Sequence, residues 1–86
     1  MNNAAEKNAR ILIVDDSEMN RDMLSDMLSD DYDIVDAANG EEALSILKEQ
    51  VYDIDLVLLD IITVSYTHLI SARKLMSFQK IRYIIR

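Results

Sequence analysis

The sequence predicts an α/β fold, in which a parallel β-sheet carries helices on both faces. Three short segments rich in apolar residues, at 11–14, 32–38 and 56–59, have the pattern of buried strands. The two segments between them carry apolar residues at helical spacing. Because strands that alternate with helices are joined by right-handed crossovers, the order β-α-β-α-β favours parallel pairing.

The first predicted strand, residues 11–14, is a continuous apolar run that ends at Asp15 and Asp16. Ser17 follows these acids, and its hydroxyl can cap the helix that begins there. We expect the helix methionines, including Met19, to line its face and fill core rather than to form a binding surface. The apolar positions that recur at helical spacing are Met23, Leu24, Met27 and Leu28.

The second strand is expected within residues 32–38, and a helix start follows it directly. Asn39 is placed to cap that helix, and Glu42 three residues later completes the pattern of a capping box. The third strand, residues 56–59, is a buried run that ends at Asp60. The apolar stripe of the second helix consists of Ala43, Leu44, Ile46 and Leu47.

Three aspartates follow the first and third strands: Asp15, Asp16 and Asp60. Carboxyl ends of parallel strands meet at one edge of the sheet, where such folds bind ligands. Clustered carboxylates repel one another unless a cation, protons or hydrogen bonds compensate. Mg²⁺ is the natural cation, because it prefers oxygen ligands and keeps water or phosphate oxygens in its shell.

The cluster therefore predicts a site for phosphoryl transfer. Asp15 and Asp16 are the expected metal ligands, and Asp60 is the expected nucleophile, which would form an aspartyl-phosphate. Asp60 itself and the backbone carbonyl of Ile62 are further candidate ligands of the metal. We expect the other aspartates of this region to be solvated surface: Asp22, Asp26, Asp30, Asp31, Asp33 and Asp36.

Charge divides the 86-residue chain sharply. Through residue 63 there are four bases and 16 acids, a net charge of −12. From residue 64 onward there are five bases and no acid, a net charge of +5, which gives −7 for the whole chain. We expect a flexible N-terminus at 1–8, a partial domain at 9–63 and a separate basic tail at 64–86. The tail has the pattern of a helix over 71–80 and a strand over 81–85. Unless the tail pairs with the third strand, that strand would lie at the edge of the sheet.

Three segments resemble the receiver domain of response regulators. They run from Ile11 to Asp16, from Ala38 to Leu44 and from Asp55 to Ile61, and the resemblance covers about residues 9–62. It implies a flavodoxin-like domain, Mg²⁺ dependence and phosphoryl transfer to Asp60 from a histidine kinase or phosphotransfer protein. It also implies that the chain is no enzyme, since receivers only assist their own phosphorylation and dephosphorylation.

The sequence departs from this family after Asp60. Receivers normally continue with a Met-Pro pair and a glycine-containing turn, and they end strand four with a switch hydroxyl and strand five with a lysine. No residue of this chain inherits either role. Residues 64–69, Val-Ser-Tyr-Thr-His-Leu, resemble a translated sequencing adapter. We therefore expect a truncated receiver with a non-native tail, slow phosphorylation and no transmitted signal.

Composition excludes several other classes of function. The absence of cysteine rules out thiol catalysis, thiolate metal sites and disulfides, and His68 alone cannot form a histidine-rich site. No apolar run approaches a membrane span and the N-terminus has no signal-peptide pattern, so we expect a cytoplasmic protein.

The sequence also allows a comparison with two other functional classes. An aspartate-dependent phosphohydrolase would need a second aspartate at position 62, where this chain has Ile62. A binding module is the main alternative, in which the basic tail would contact an anionic membrane or nucleic acid. No DNA-reading motif is present in the sequence.

Overall fold

The computed structural model describes residues 8–50, 52–60, 70–74, 77 and 82–85. The elements in chain order are β1 (Arg10–Val14), α1 (Glu18–Leu28), β2 (Asp33–Ala37), α2 (Gly40–Gln50), β3 (Leu56–Leu59) and β4 (Arg82–Ile85). The four strands form one parallel sheet in the order β2-β1-β3-β4. The predicted α/β fold with a parallel β-α-β-α-β core is confirmed.

Both helix starts have the predicted caps. The hydroxyl of Ser17 accepts a hydrogen bond from the backbone N–H of Asn20 at 3.2 Å. Asn39 Oδ1 accepts from the backbone N–H of Glu42 at 2.9 Å, and its amide donates to the Glu42 carboxylate at 3.3 Å. These contacts satisfy amide groups that have no partner within the first helical turn.

The main core lies between the sheet and α2. Leu47 is fully buried there, and Ala43 is buried beside it, as the helical spacing predicted. Alternate residues of β1 and β3 point to this face, because successive side chains of a strand point in opposite directions. The buried members of the cluster are Leu12, Val14, Ala37, Ala43, Leu47, Ile54, Val57, Leu59 and Ala72.

Helix α1 covers the opposite face, and here the expectation for the methionines was wrong. Met19, Met23 and Met27 are 79%, 53% and 68% exposed, so they fill no core. Leu24 and Leu28 are half-buried, and no residue of α1 is fully buried. The helix is rotated so that its leucines rather than its methionines face the sheet.

The basic tail contributes to the sheet within the described residues. β4 pairs in parallel with β3, so β3 is an inner strand rather than an edge. Residues 70–74 and 77 are helical, and Ala72 is buried in the core cluster. The predicted helix and strand of the tail are thus present where the structure describes them. His68 lies outside the described residues.

Arg10 contacts three other segments of the chain at the amino-terminal ends of the strands. Its guanidinium donates to the Gln50 side chain at 3.0 Å and lies 3.6 Å from the Asp33 carboxylate. Its backbone N–H donates to the Asp55 carboxylate at 2.8 Å. Asp33 is therefore an ion-pair partner rather than a freely solvated acid. No helix among the described residues has the length and apolarity needed to cross a membrane.

Candidate functional site

The carboxyl ends of β1, β2 and β3 are aligned by backbone hydrogen bonds that continue one residue past the strands. The N–H of Asp15 donates to the carbonyl oxygen of Ala37 at 3.1 Å. The N–H of Asp60 donates to the carbonyl oxygen of Val14 at 3.0 Å. Asp15 and Asp60 therefore emerge side by side, because the register pairs Val14 with Leu59 immediately before them.

The structure brings together the three aspartates that the sequence singled out. One carboxylate oxygen from each of Asp15, Asp16 and Asp60 lies within 4.8 Å of the other two. Asp15 is buried, Asp60 is half-buried and Asp16 is exposed, so the cluster reaches from the sheet edge to the surface. Ile62, the fourth predicted ligand, lies outside the described residues.

The buried carboxylate of Asp15 is held by hydrogen bonds from the start of α1. Its Oδ1 accepts from the backbone N–H of Ser17 at 2.9 Å, and its Oδ2 accepts from the side-chain amide of Asn20 at 3.4 Å. A buried charge needs such donors, because removal from water is costly without them. Asn20 was not predicted from the sequence to be a member of the site.

Arg21 is a second residue of this sheet edge that was not predicted from the sequence. Its Nη1 donates to the backbone carbonyl of Asp15 at 2.7 Å, and its Nε donates to the Asp36 carboxylate at 2.9 Å. Asp36, expected to be solvated surface, therefore forms an ion pair, although half of its side chain is exposed. The sequence feature that could have identified Arg21 is its charge, because it is the one basic residue between Arg10 and Lys48.

The three carboxylates have the donor chemistry that Mg²⁺ requires. Two oxygens bound to one octahedral Mg²⁺ are about 3.0 Å apart when adjacent and about 4.2 Å apart when opposite, so carboxylate oxygens that lie within 4.8 Å of one another would have to approach by up to about 2 Å to share the ion. Three carboxylates supply oxygen donors without nitrogen or sulfur, which is the ligand set that Mg²⁺ prefers. Asp16 and Asp60 remain accessible at the edge for a ligand that brings further oxygens.

The space behind the cluster is small. A cavity of about 10 Å³ lies between Asp15, Asp60, Leu24 and Leu58, which is room for about one water molecule. A ligand of the three carboxylates that is larger than water would therefore be bound at the open edge of the sheet rather than inside the domain.

Relatives of known structure share this arrangement of strands. In the crystal structure of the phosphorylated P1 domain of CheA3 in complex with CheY6 from R. sphaeroides, a chain matches at 30% identity with a TM-score of 0.72. The match covers 90% of this chain and 70% of that one. The chain belongs to the CheY-like receiver-domain family.

Two further comparisons agree with membership of the receiver family. The chemotaxis protein CheY of Halobacterium salinarum is 46% identical over 54 residues, which is 62% of this chain and 43% of that protein. The receiver domain of the hybrid histidine kinase CckA aligns with a TM-score of 0.72 and 28% identity, covering 91% of this chain and 85% of that one. No protein-family model matches the chain.

The chain spans less than half the length of the CheY protein that it matches. The predicted membership of the receiver family is confirmed by these relatives. The alternative, a basic-tailed module for membranes or nucleic acid, receives no support from them and is not retained.

Proposed function

We propose that this receiver chain accepts a phosphoryl group on Asp60 in a phosphorelay, with Mg²⁺ held by Asp15, Asp16 and Asp60. The observation that carries the proposal is the cluster of three carboxylate oxygens within 4.8 Å at one sheet edge. Membership of the receiver family supports the proposal. The backbone carbonyl of Ile62 is proposed as a further ligand of the Mg²⁺ ion.

In the proposed reaction, a carboxylate oxygen of Asp60 attacks the phosphorus of a phosphohistidine. The new P–O bond forms as the P–N bond breaks, and the imidazole nitrogen keeps the electron pair and takes a proton from solvent. Bound Mg²⁺ would neutralise charge on the phosphoryl oxygens. Asp15 is fixed in advance by Ser17 and Asn20, so its carboxylate needs little reorganisation when the metal binds.

A histidine kinase or phosphotransfer protein of the cytoplasm is the proposed donor. A CheY6 complex with a phosphorylated P1 domain is among the structures that align with this chain, which supports a donor of that kind. Because Asp60 is itself the acceptor, the proposed reaction phosphorylates the chain and turns over no separate substrate. In this sense the receiver is proposed not to be an enzyme.

The boundary near residue 64 is proposed to separate receiver sequence, residues 9–63, from a foreign tail, residues 64–86. The change in net charge from −12 to +5 supports it, as does the adapter-like string at 64–69. β4, with the sequence Arg-Tyr-Ile-Ile, contains no serine or threonine that could act as a receiver's switch hydroxyl. Phosphorylation of Asp60 is therefore proposed not to be transmitted through β4.

Amide NMR of the full chain tests the acceptor site directly. Mg²⁺ with beryllofluoride, which mimics the phosphoryl group, should shift the resonances of Asp15, Asp16 and Asp60 and leave those near Arg10 in place. The variant Asp60→Asn should show no response to beryllofluoride. A dispersed spectrum that ignores both ligands would contradict the proposal.

A further inference from the structure

Arg21 joins the carboxyl ends of two strands to the first helix. It lies one turn inside α1, contacts Asp15, the residue that follows β1, and pairs with Asp36 near the end of β2. Its side chain is only 14% exposed and its bond to the Asp15 carbonyl is partly buried, whereas the Asp36 carboxylate is half exposed. We propose that Arg21 is a positioning residue that sets the relative orientation of Asp15 and Asp16, an inference that rests on the proposed function.

The contact with a backbone carbonyl is what gives Arg21 this role. The carbonyl group of Asp15 and the N–H group of Asp16 belong to one planar peptide unit. The N–H of Asp15 is already held by Ala37 at 3.1 Å, and Arg21 holds the carbonyl at 2.7 Å. The chain is thus fixed on both sides of the Asp15 Cα, at the point where a buried carboxylate is followed by an exposed one.

The guanidinium also suits the two acceptors better than an ammonium would. Nε and Nη1 point in different directions in one rigid plane, and they reach the Asp36 carboxylate and the Asp15 carbonyl at the same time. A lysine places all its donors on one nitrogen, so it is expected to keep only one of the two contacts at full strength. Asp36 balances the charge of Arg21, so the pair orients the peptide while adding little net charge beside the acidic cluster.

The test separates orientation from charge with a charge-neutral double variant, Arg21→Gln with Asp36→Asn. Mg²⁺ affinity of the full chain is measured by amide NMR titration in 0.5 M KCl, where long-range fields are screened. If the pair orients the metal ligands, the double variant should bind Mg²⁺ about tenfold more weakly, as is typical when groups that hold metal ligands are lost. Arg21→Lys should lie between the double variant and the unaltered chain.

The matched control is Arg10→Gln with Asp33→Asn, at the opposite end of the same strands. It removes an equivalent pair with the same change in charge, so it reports any general loss of stability. Its Mg²⁺ affinity should equal that of the unaltered chain at a temperature where both remain folded. The Asp15 carbonyl ¹³C resonance should move in the metal-free Arg21 variants and stay in place in the control.

The outcomes are distinct. Equal Mg²⁺ affinity in the Arg21 double variant and the unaltered chain overturns the positioning role while leaving the proposed function standing. Failure of the unaltered chain to bind Mg²⁺ overturns the proposed function, and the positioning role falls with it. If the double variant does not fold, Arg21→Lys decides: full affinity together with an unmoved carbonyl resonance overturns the inference.

Discussion

The backbone N–H of Asp60 donates a hydrogen bond to the carbonyl oxygen of Val14 at 3.0 Å. This bond extends the β1–β3 ladder by one residue and places the proposed phosphoacceptor beside Asp15, the next residue after Val14. The separation between the proposed acceptor and the proposed metal ligand Asp15 is therefore set by the sheet, which is more rigid than a loop would be.

Asp60→Asn should abolish phosphorylation while the fold remains intact. The amide keeps the size of the carboxylate but is a poor nucleophile, and the backbone bond to Val14 does not depend on the side chain. The measurement is incorporation of phosphate from acetyl phosphate or a phosphorylated histidine donor. Asp22→Asn, an exposed acid of α1, is the control that should retain phosphorylation. Equal phosphorylation of both variants would mean that a residue other than Asp60 accepts the phosphoryl group.

Mg²⁺ should stabilise the unaltered chain but not Asp16→Asn. At ten times its dissociation constant, a ligand that binds only the folded state raises the free energy of unfolding by about 1.4 kcal/mol. Without metal, Asp16→Asn should be slightly more stable than the unaltered chain, because one of three neighbouring charges is gone. Urea unfolding with and without Mg²⁺ provides both comparisons. Equal stabilisation of the two chains by Mg²⁺ would exclude Asp16 as a ligand.

Ala72→Asp should unfold the chain or destabilise it by about 3 kcal/mol or more, because it places an unpaired charge in the core cluster. Ser77→Asp makes the same change in charge at an exposed position and should cost less than about 0.5 kcal/mol. Thermal or urea unfolding distinguishes the two. Similar stability in both variants would mean that the tail contributes nothing to the core.

Met23→Gln should change the free energy of unfolding by less than about 0.5 kcal/mol, because Met23 is 53% exposed. Leu24→Gln should cost about 1–2 kcal/mol, since the half-buried Leu24 lies against the sheet beside Ile13 and Leu58. Urea unfolding of the two neighbouring variants tests the rotation of α1. A larger loss of unfolding free energy in Met23→Gln than in Leu24→Gln would contradict this orientation of α1.

Sequencing of the source locus across codon 63 should reveal a different continuation of the reading frame. The expectation rests on the loss of every acidic residue after Asp60 and on the adapter-like string at 64–69. A locus that encodes residues 64–86 in the same frame would show that the tail is native.

Local patterns were enough to predict most of the elements and the acidic edge. The β3 run at residues 56–59 coincides with the predicted strand, Ser17 caps α1 as predicted, and Asn39 contacts its predicted partner Glu42. These features depend on neighbours within four residues or on strand periodicity. The joint position of Asp15 and Asp60 also followed, because parallel strands place their carboxyl ends at one edge.

The sequence by itself determined that this chain has a receiver-like sheet with three carboxylates at one edge. Only the tertiary structure decided which side of α1 faces the sheet, that Arg21 bridges Asp15 and Asp36, and that β4 covers β3. An apolar stripe that includes both methionines and leucines has no unique orientation until a sheet packs against it. The partner of Arg21 is 15 residues away, and such a contact exists only after β1 and β2 have paired in register.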